Sequence, residues 1–80
     1  MDEEEMKPEI YHPPYYKRGD VECIDAIKAS MTKDQWLGYL KGTVLKYLWR
    51  WDTKYTDPQQ QIECLEKGLW FYKRLLEEAK

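Results

Sequence analysis

In the stretch GTVLKYLWRW, from Gly42 to Trp51, Lys46 and Arg50 stand four residues apart. That spacing places both side chains on one row of a helix, with Gly42 one turn before them and Lys54 one turn beyond if the helix continues. A lysine ammonium is a compact point charge and an arginine guanidinium a planar fork, a pair suited to phosphate oxygens. Tyr47, with Trp49 and Trp51 beside it, offers a face on which a base can stack, worth about 1–3 kcal/mol per base. Glycine inside a helix costs about 1 kcal/mol relative to alanine, and close approach of a ligand or of another backbone is one reason to carry it. The same residues also describe the solvated edge of a core helix in which Gly42 serves helix packing. The pattern alone leaves both readings open.

Glu22 and Asp25 form a second group, spaced i, i+3 on the side away from Val21. Such a pair can accept hydrogen bonds from a ribose, bind a divalent metal, or form ion pairs with Lys46 or Arg50. Metal catalysis needs a second acidic cluster, and Glu63, Glu66, Glu77 and Glu78 lack the local pattern for it, so no metal site and no catalytic residue is assigned. A third group lies in the arm YHPPYYKRG, where His12 and Tyr15 flank Pro13 and Pro14. The prolines stiffen this backbone, which then reads as a lid folded over a pocket. The run KGLWFYKR repeats the basic and aromatic theme with Lys67, Gly68, Trp70 and Arg74, and Gly68 invites a close helix contact. No GxxxxGK[ST] phosphate loop is present.

Composition narrows the classes. Eighty residues allow one domain, spanning 1–80, and seven Tyr with four Trp are more aromatic surface than three short helices can hide. The expectation is a homo-oligomer that buries these rings against further copies. A net charge of -2 argues against a duplex DNA binder. Cys23 and Cys64 lack metal-ligand spacing, and the acidic start DEEE is unlike a secretory signal. With no apolar run near the roughly 20 residues of a membrane span, the chain reads as cytoplasmic, with reduced thiols and no cofactor.

The elements that must position these groups follow from caps and periodicity. Residues 1–10 read as a disordered acidic tail and the following aromatic, proline-rich arm as extended. Asp20 is placed as the cap of a first helix through VECIDAIKAS, with Val21, Ile24 and Ile27 on one face. Thr32 with Gln35 makes a capping box for a second helix whose stripe Leu37, Leu40, Val44, Leu48, Trp51 is its expected core face. Asp57 and Pro58 start a third helix with the seam Ile62, Leu65, Leu69, Tyr72, Leu76. The predicted class is all-α: a small three-helix domain behind an extended arm.

The segments YHPPYYKRGDVECIDAI, GTVLKYLWRWDTK and CLEKGLWFYKRL, in that order, resemble the SaV-like family of small tailed-phage proteins, a domain of unknown function often labelled phage nucleotide kinase. The resemblance spans about Tyr11 to Leu76. It is most specific at Gly42, Lys46, Tyr47, Arg50 and Lys54, and Thr43 stands where the family usually has asparagine. It implies a phage protein of the infected bacterial cytoplasm with a nucleotide or cyclic-nucleotide ligand, and it adds Thr43 to the candidate contacts. One longer member acts as an oligomeric nucleoside monophosphate kinase. Small helical phage proteins also sequester nucleotide messengers of bacterial immunity, and a nucleotide-binding domain without evident catalytic residues fits that role at least as well. The reading is therefore an anti-defence sponge that leans away from enzyme, with a kinase-like enzyme and a pure protein-interaction module as alternatives.

Overall fold

The computed structural model describes residues 17–80, with Lys17 in its backbone only. The acidic tail, His12 and Tyr15 lie outside the described residues. The chain opens on a two-stranded antiparallel hairpin, β1 (Lys17–Arg18) and β2 (Val21–Glu22), in which Lys17 pairs with Glu22 and Arg18 with Val21. Three helices follow: α1 (Cys23–Ala29), α2 (Lys33–Arg50) and α3 (Pro58–Ala79). The fold is thus mostly helical, with a small strand pair that the all-α reading lacked.

The hairpin also corrects the start of the first helix. Gly19 has φ 61 and is the first residue of the two-residue turn, and no other described residue has positive φ. This is the arrangement of a type II′ turn, which matches the twist of paired strands. Asp20 is consumed by that turn and the β-branched Val21 by the strand. The cap falls on Glu22, in extended conformation and without a side-chain capping bond.

The other two helix starts agree with the sequence. The Gln35 N–H donates to Thr32 Oγ1 at 3.2 Å, and the Thr32 N–H donates to Gln35 Oε1 at 3.0 Å, which completes the capping box. The Gln60 N–H donates to Asp57 Oδ2 at 3.1 Å, with Pro58 in the first turn. α2 stops at Arg50, where the N–H of Lys54 closes a last turn onto the Arg50 carbonyl at 2.9 Å. Lys54 therefore sits in the connecting turn and does not continue the helical row.

α2 and α3 pack antiparallel. Tyr47 meets Cys64, Gly68 and Phe71 towards one end, and Trp36 meets Arg74 towards the other. The core is Trp36, Leu40, Thr43 and Val44 from α2 with Cys64 and Gly68 from α3. Gly68 has the role its type suggested, because a Cβ there would lie 3.1 Å from Tyr47 Cβ. Gly42 does not, because a Cβ there would meet nothing within 4 Å.

The expected core stripe of α3 is displaced, and that of α2 holds at Leu40 and Val44 but not at Leu48. Leu40 and Val44 are buried, but Leu45, Leu48, Ile62, Tyr72 and Leu76 are 45–54% exposed and Trp49 is 85% exposed. Helical turning of about 100° per residue explains the pattern. The row of α3 that faces α2 is Cys64, Gly68 and Phe71, and the Ile62–Leu76 seam points about a third of a turn away from it. On α2, Leu48 points to the same side, with Leu45 and Trp49 further round. Lys46 and Arg50 on α2, and Glu63, Lys67, Trp70 and Arg74 on α3, point to the opposite side. The helix pair therefore has one apolar flank and one polar, mostly basic flank.

Candidate functional site

α1 covers one end of the basic flank. Lys28 Nζ lies 3.0 Å from Glu78, Arg74 Nε 2.9 Å from Glu78, and Arg74 3.8 Å from Asp25. Arg74 also lies over the Trp36 ring at 5.6 Å. The hydrogen bond from Lys28 is the chief cause that lowers the Glu78 pKa; it opposes the desolvation that raises it, and Arg74 adds to the lowering. Asp25, read as a ligand contact or as a partner of Lys46 or Arg50, is thus committed to Arg74 and clamps α1 to α3. Glu22 stands at the cap position of α1, without a side-chain capping bond, and its backbone is in register with that of Lys17 in the hairpin. Sequence spacing put these two carboxylates side by side but could not say that Arg74 lay opposite Asp25.

The other end of the basic flank is left uncovered by α1. There Lys46 Nζ lies 5.1 Å and the Arg50 guanidinium 5.4 Å from the centre of the Tyr47 ring, and Lys54 Nζ lies 5.3 Å from that of Tyr55. Cation–π contacts hold the charges near the rings at a gain of about 0.5–1 kcal/mol each at exposed sites. Among the described residues no carboxylate lies within ion-pair distance of Lys46, Arg50, Lys54 or Lys67. Arg50 Nε is buried and has no hydrogen-bond acceptor. An unmatched buried donor costs about 1–3 kcal/mol, and a phosphate oxygen reaching it would remove that cost.

Tyr47 is the organising residue. Its ring stacks on Phe71 at 5.8 Å and 19°, and Phe71 in turn meets Trp70 edge-on at 5.0 Å. Its carbonyl accepts the Cys64 thiol at 3.7 Å. With Tyr55, Gln60, Glu63, Cys64 and Lys67 it lines a pocket of about 170 Å³ beneath the turn between α2 and α3. Of the sequence candidates, Lys46, Tyr47, Arg50 and Lys54 come together here. Trp70 joins through Phe71. Gly42 is exposed on α2, and the Thr43 hydroxyl is buried and donates to the Tyr39 carbonyl at 2.8 Å.

Tyr55, Gln60, Glu63 and Lys67 were not among the sequence candidates for this pocket. Their signal was present only in combination: Glu63 and Lys67 are four residues apart on α3, and the turn folds Tyr55 back onto them. Among the described residues no helix is long and apolar enough to cross a membrane.

Comparison with known proteins places this arrangement in context. No solved structure matches the chain. It is 41% identical over 64 residues to the "Nucleotide kinase gp1.7" of Escherichia phage T7, covering 76% of this chain and 30% of that protein. It is 33% identical over 80 residues to the "Gene 1.7 protein" of Enterobacteria phage T3, covering 95% of this chain and 46% of that protein. The match thus spans less than half of the length of these phage relatives. Residues 10–73, which take in Lys46, Tyr47, Arg50, Lys54 and the pocket residues, match the family described as a protein of unknown function (DUF3310), and the chain belongs to that family.

Proposed function

We propose that this protein binds a nucleotide-type anion at the uncovered end of its basic flank. The observation that supports this best is Arg50: a buried, unmatched Nε donor beside Lys46 on the face of Tyr47, at the edge of a pocket. Most buried donors in a folded protein are matched, and Arg50 Nε differs from the other unmatched one, Trp36 Nε1 in the core, in lying beside further cations. The resemblance to the SaV-like phage proteins and the nucleotide-related name of the T7 relative point to the same ligand class.

The oligomer is part of the proposal. Apart from Val21, all the exposed large apolar side chains of the described residues lie on the apolar flank or continue it. Together they offer on the order of 700 Å², against about 800 Å² per partner in a standard specific interface. The 3–4 spacing of Ile62, Leu65, Leu69, Tyr72 and Leu76 is that of a helix-on-helix seam, which favours a second copy of this chain as its cover.

Sequestration of a nucleotide signal of bacterial immunity is the favoured role, because the basic flank offers a binding surface to which no nucleophile or general base is assigned among the described residues. The tests are direct. Incubated with extract from an immune-activated host and then heated, the purified protein releases one small molecule, chemically unchanged. The kinase reading, carried by the relative's name, requires sustained turnover of ATP with a nucleoside monophosphate. Turnover abolished by Arg50→Ala would replace sequestration with catalysis.

A further inference from the structure

Resting on the nucleotide reading, we propose that the pocket lined by Tyr47, Tyr55, Gln60, Glu63, Cys64 and Lys67 takes the flat, uncharged ring of the ligand by its N–H edge, while the phosphates stay outside it on Arg50, Lys46 and Lys54. Three observations carry this division. The first is size. At about 170 Å³ the pocket is close to the 150 Å³ cavity that accepts a benzene ring. It falls short of the roughly 300 Å³ at which pockets begin to enclose whole drug-sized ligands.

The second is charge. Glu63 places a carboxylate in the wall, held by Gln59 Nε2 at 3.4 Å, and a carboxylate repels phosphate while it accepts from ring or exocyclic N–H groups. Lys67 is the one cation among the wall residues and offsets the Glu63 charge, whereas Lys46, Arg50 and Lys54 lie over the Tyr47 and Tyr55 rings and are not wall residues. The third is the wall itself. Two phenol rings supply apolar faces, and the Gln60 side-chain amide adds both a donor and an acceptor for a ring edge. A site for phosphate alone would need neither the rings nor the carboxylate.

The experiment titrates two probes, inorganic tripolyphosphate and a panel of nucleoside 5′-monophosphates, into the wild-type protein and the Tyr55→Ala, Glu63→Gln and Arg50→Ala variants. Circular dichroism checks that each variant is folded. Tyr55→Ala is expected to weaken the tightest nucleotide by about tenfold and tripolyphosphate far less, by no more than the loosened hold on Lys54 costs. Glu63→Gln, nearly isosteric, separates the probes in sign: the nucleotide weakens, and tripolyphosphate tightens because a like charge is gone. Arg50→Ala weakens both. Nucleotide affinity equal to wild type in Tyr55→Ala and Glu63→Gln, with Arg50→Ala still weakened, would overturn the pocket assignment and leave the nucleotide reading standing. A wild-type protein that binds no member of the panel would overturn that reading itself.

Discussion

The two flanks of the α2–α3 pair are built from the same helices and differ in what is left undone. On the apolar flank the unfinished business is surface, since leucine, isoleucine, tyrosine and tryptophan side chains stand in water where the hydrophobic effect favours burial. On the basic flank it is charge and hydrogen bonding, since four cations lack carboxylate partners among the described residues and Arg50 Nε, one of two buried donors without an acceptor, lies among them. Only where α1 lies across the basic flank are the charges paired. A fold this small cannot satisfy both flanks alone, so they point to different occupants: another helix for one, an anion for the other.

The largest expected effect tests the apolar flank. Replacing Leu48 and Leu76 by aspartate places charges in the seam, and light scattering is expected to show loss of the oligomer with the helical signal retained. A wild-type monomer at micromolar concentration would remove this half of the comparison. Next comes the contact on which both flanks depend. Gly68→Ala forces a methyl group to within 3.1 Å of Tyr47 Cβ and is expected to lower stability in denaturant by about 1–3 kcal/mol. Unchanged stability would mean that the helices are not held at this distance.

The basic flank responds more locally. Arg50→Ala is expected to weaken ligand binding by about tenfold or more, a loss of at least about 1.4 kcal/mol, as for a hydrogen bond to a charged group of about 1.5–3 kcal/mol. Arg50→Lys also loses affinity because the planar fork is gone. Thermal stability does not fall in Arg50→Ala, because an unmatched buried donor has been removed. Wild-type affinity in both Arg50→Ala and Lys46→Ala, measured calorimetrically, would move the ligand elsewhere. Gly42 gives a smaller contrast with Gly68. In the isolated chain Gly42→Ala is expected to stabilise α2 by up to about 1 kcal/mol, and a coupled loss of binding or assembly would show what approaches this glycine.

The smallest effect concerns the α1 clamp. Glu78 has a pKa below its ordinary 4.5 through Lys28 and Arg74, so its contribution is complete above about pH 4.5 and disappears as pH falls through the lowered value. Melting temperature in Glu78→Gln is expected to fall slightly at neutral pH and to converge on the wild type in acid. Equal acid sensitivity in both proteins would show that this carboxylate is not the one that holds α1.

How much of this was legible in the sequence divides along the range of the interactions. Thr32 with Gln35, and Asp57 with Pro58, were readable because a cap involves groups within three residues of one another. The i, i+4 spacing of Lys46 and Arg50 was readable for the same reason, and so was the suitability of Gly68 for a close contact. What only the tertiary structure decided was which row of each helix turns inward. The heptad seam of α3 looks like a core stripe on one helix, yet Cys64, Gly68 and Phe71 face α2, because the small residues let Tyr47 approach and the larger seam does not. That rotation exposed one stripe, pointed the cations to the other side, delivered Asp25 to Arg74, and folded Tyr55, Gln60 and Glu63 around a pocket. Spacing along a helix determines which side chains travel together; where the group points is settled by shape complementarity with a partner distant in sequence.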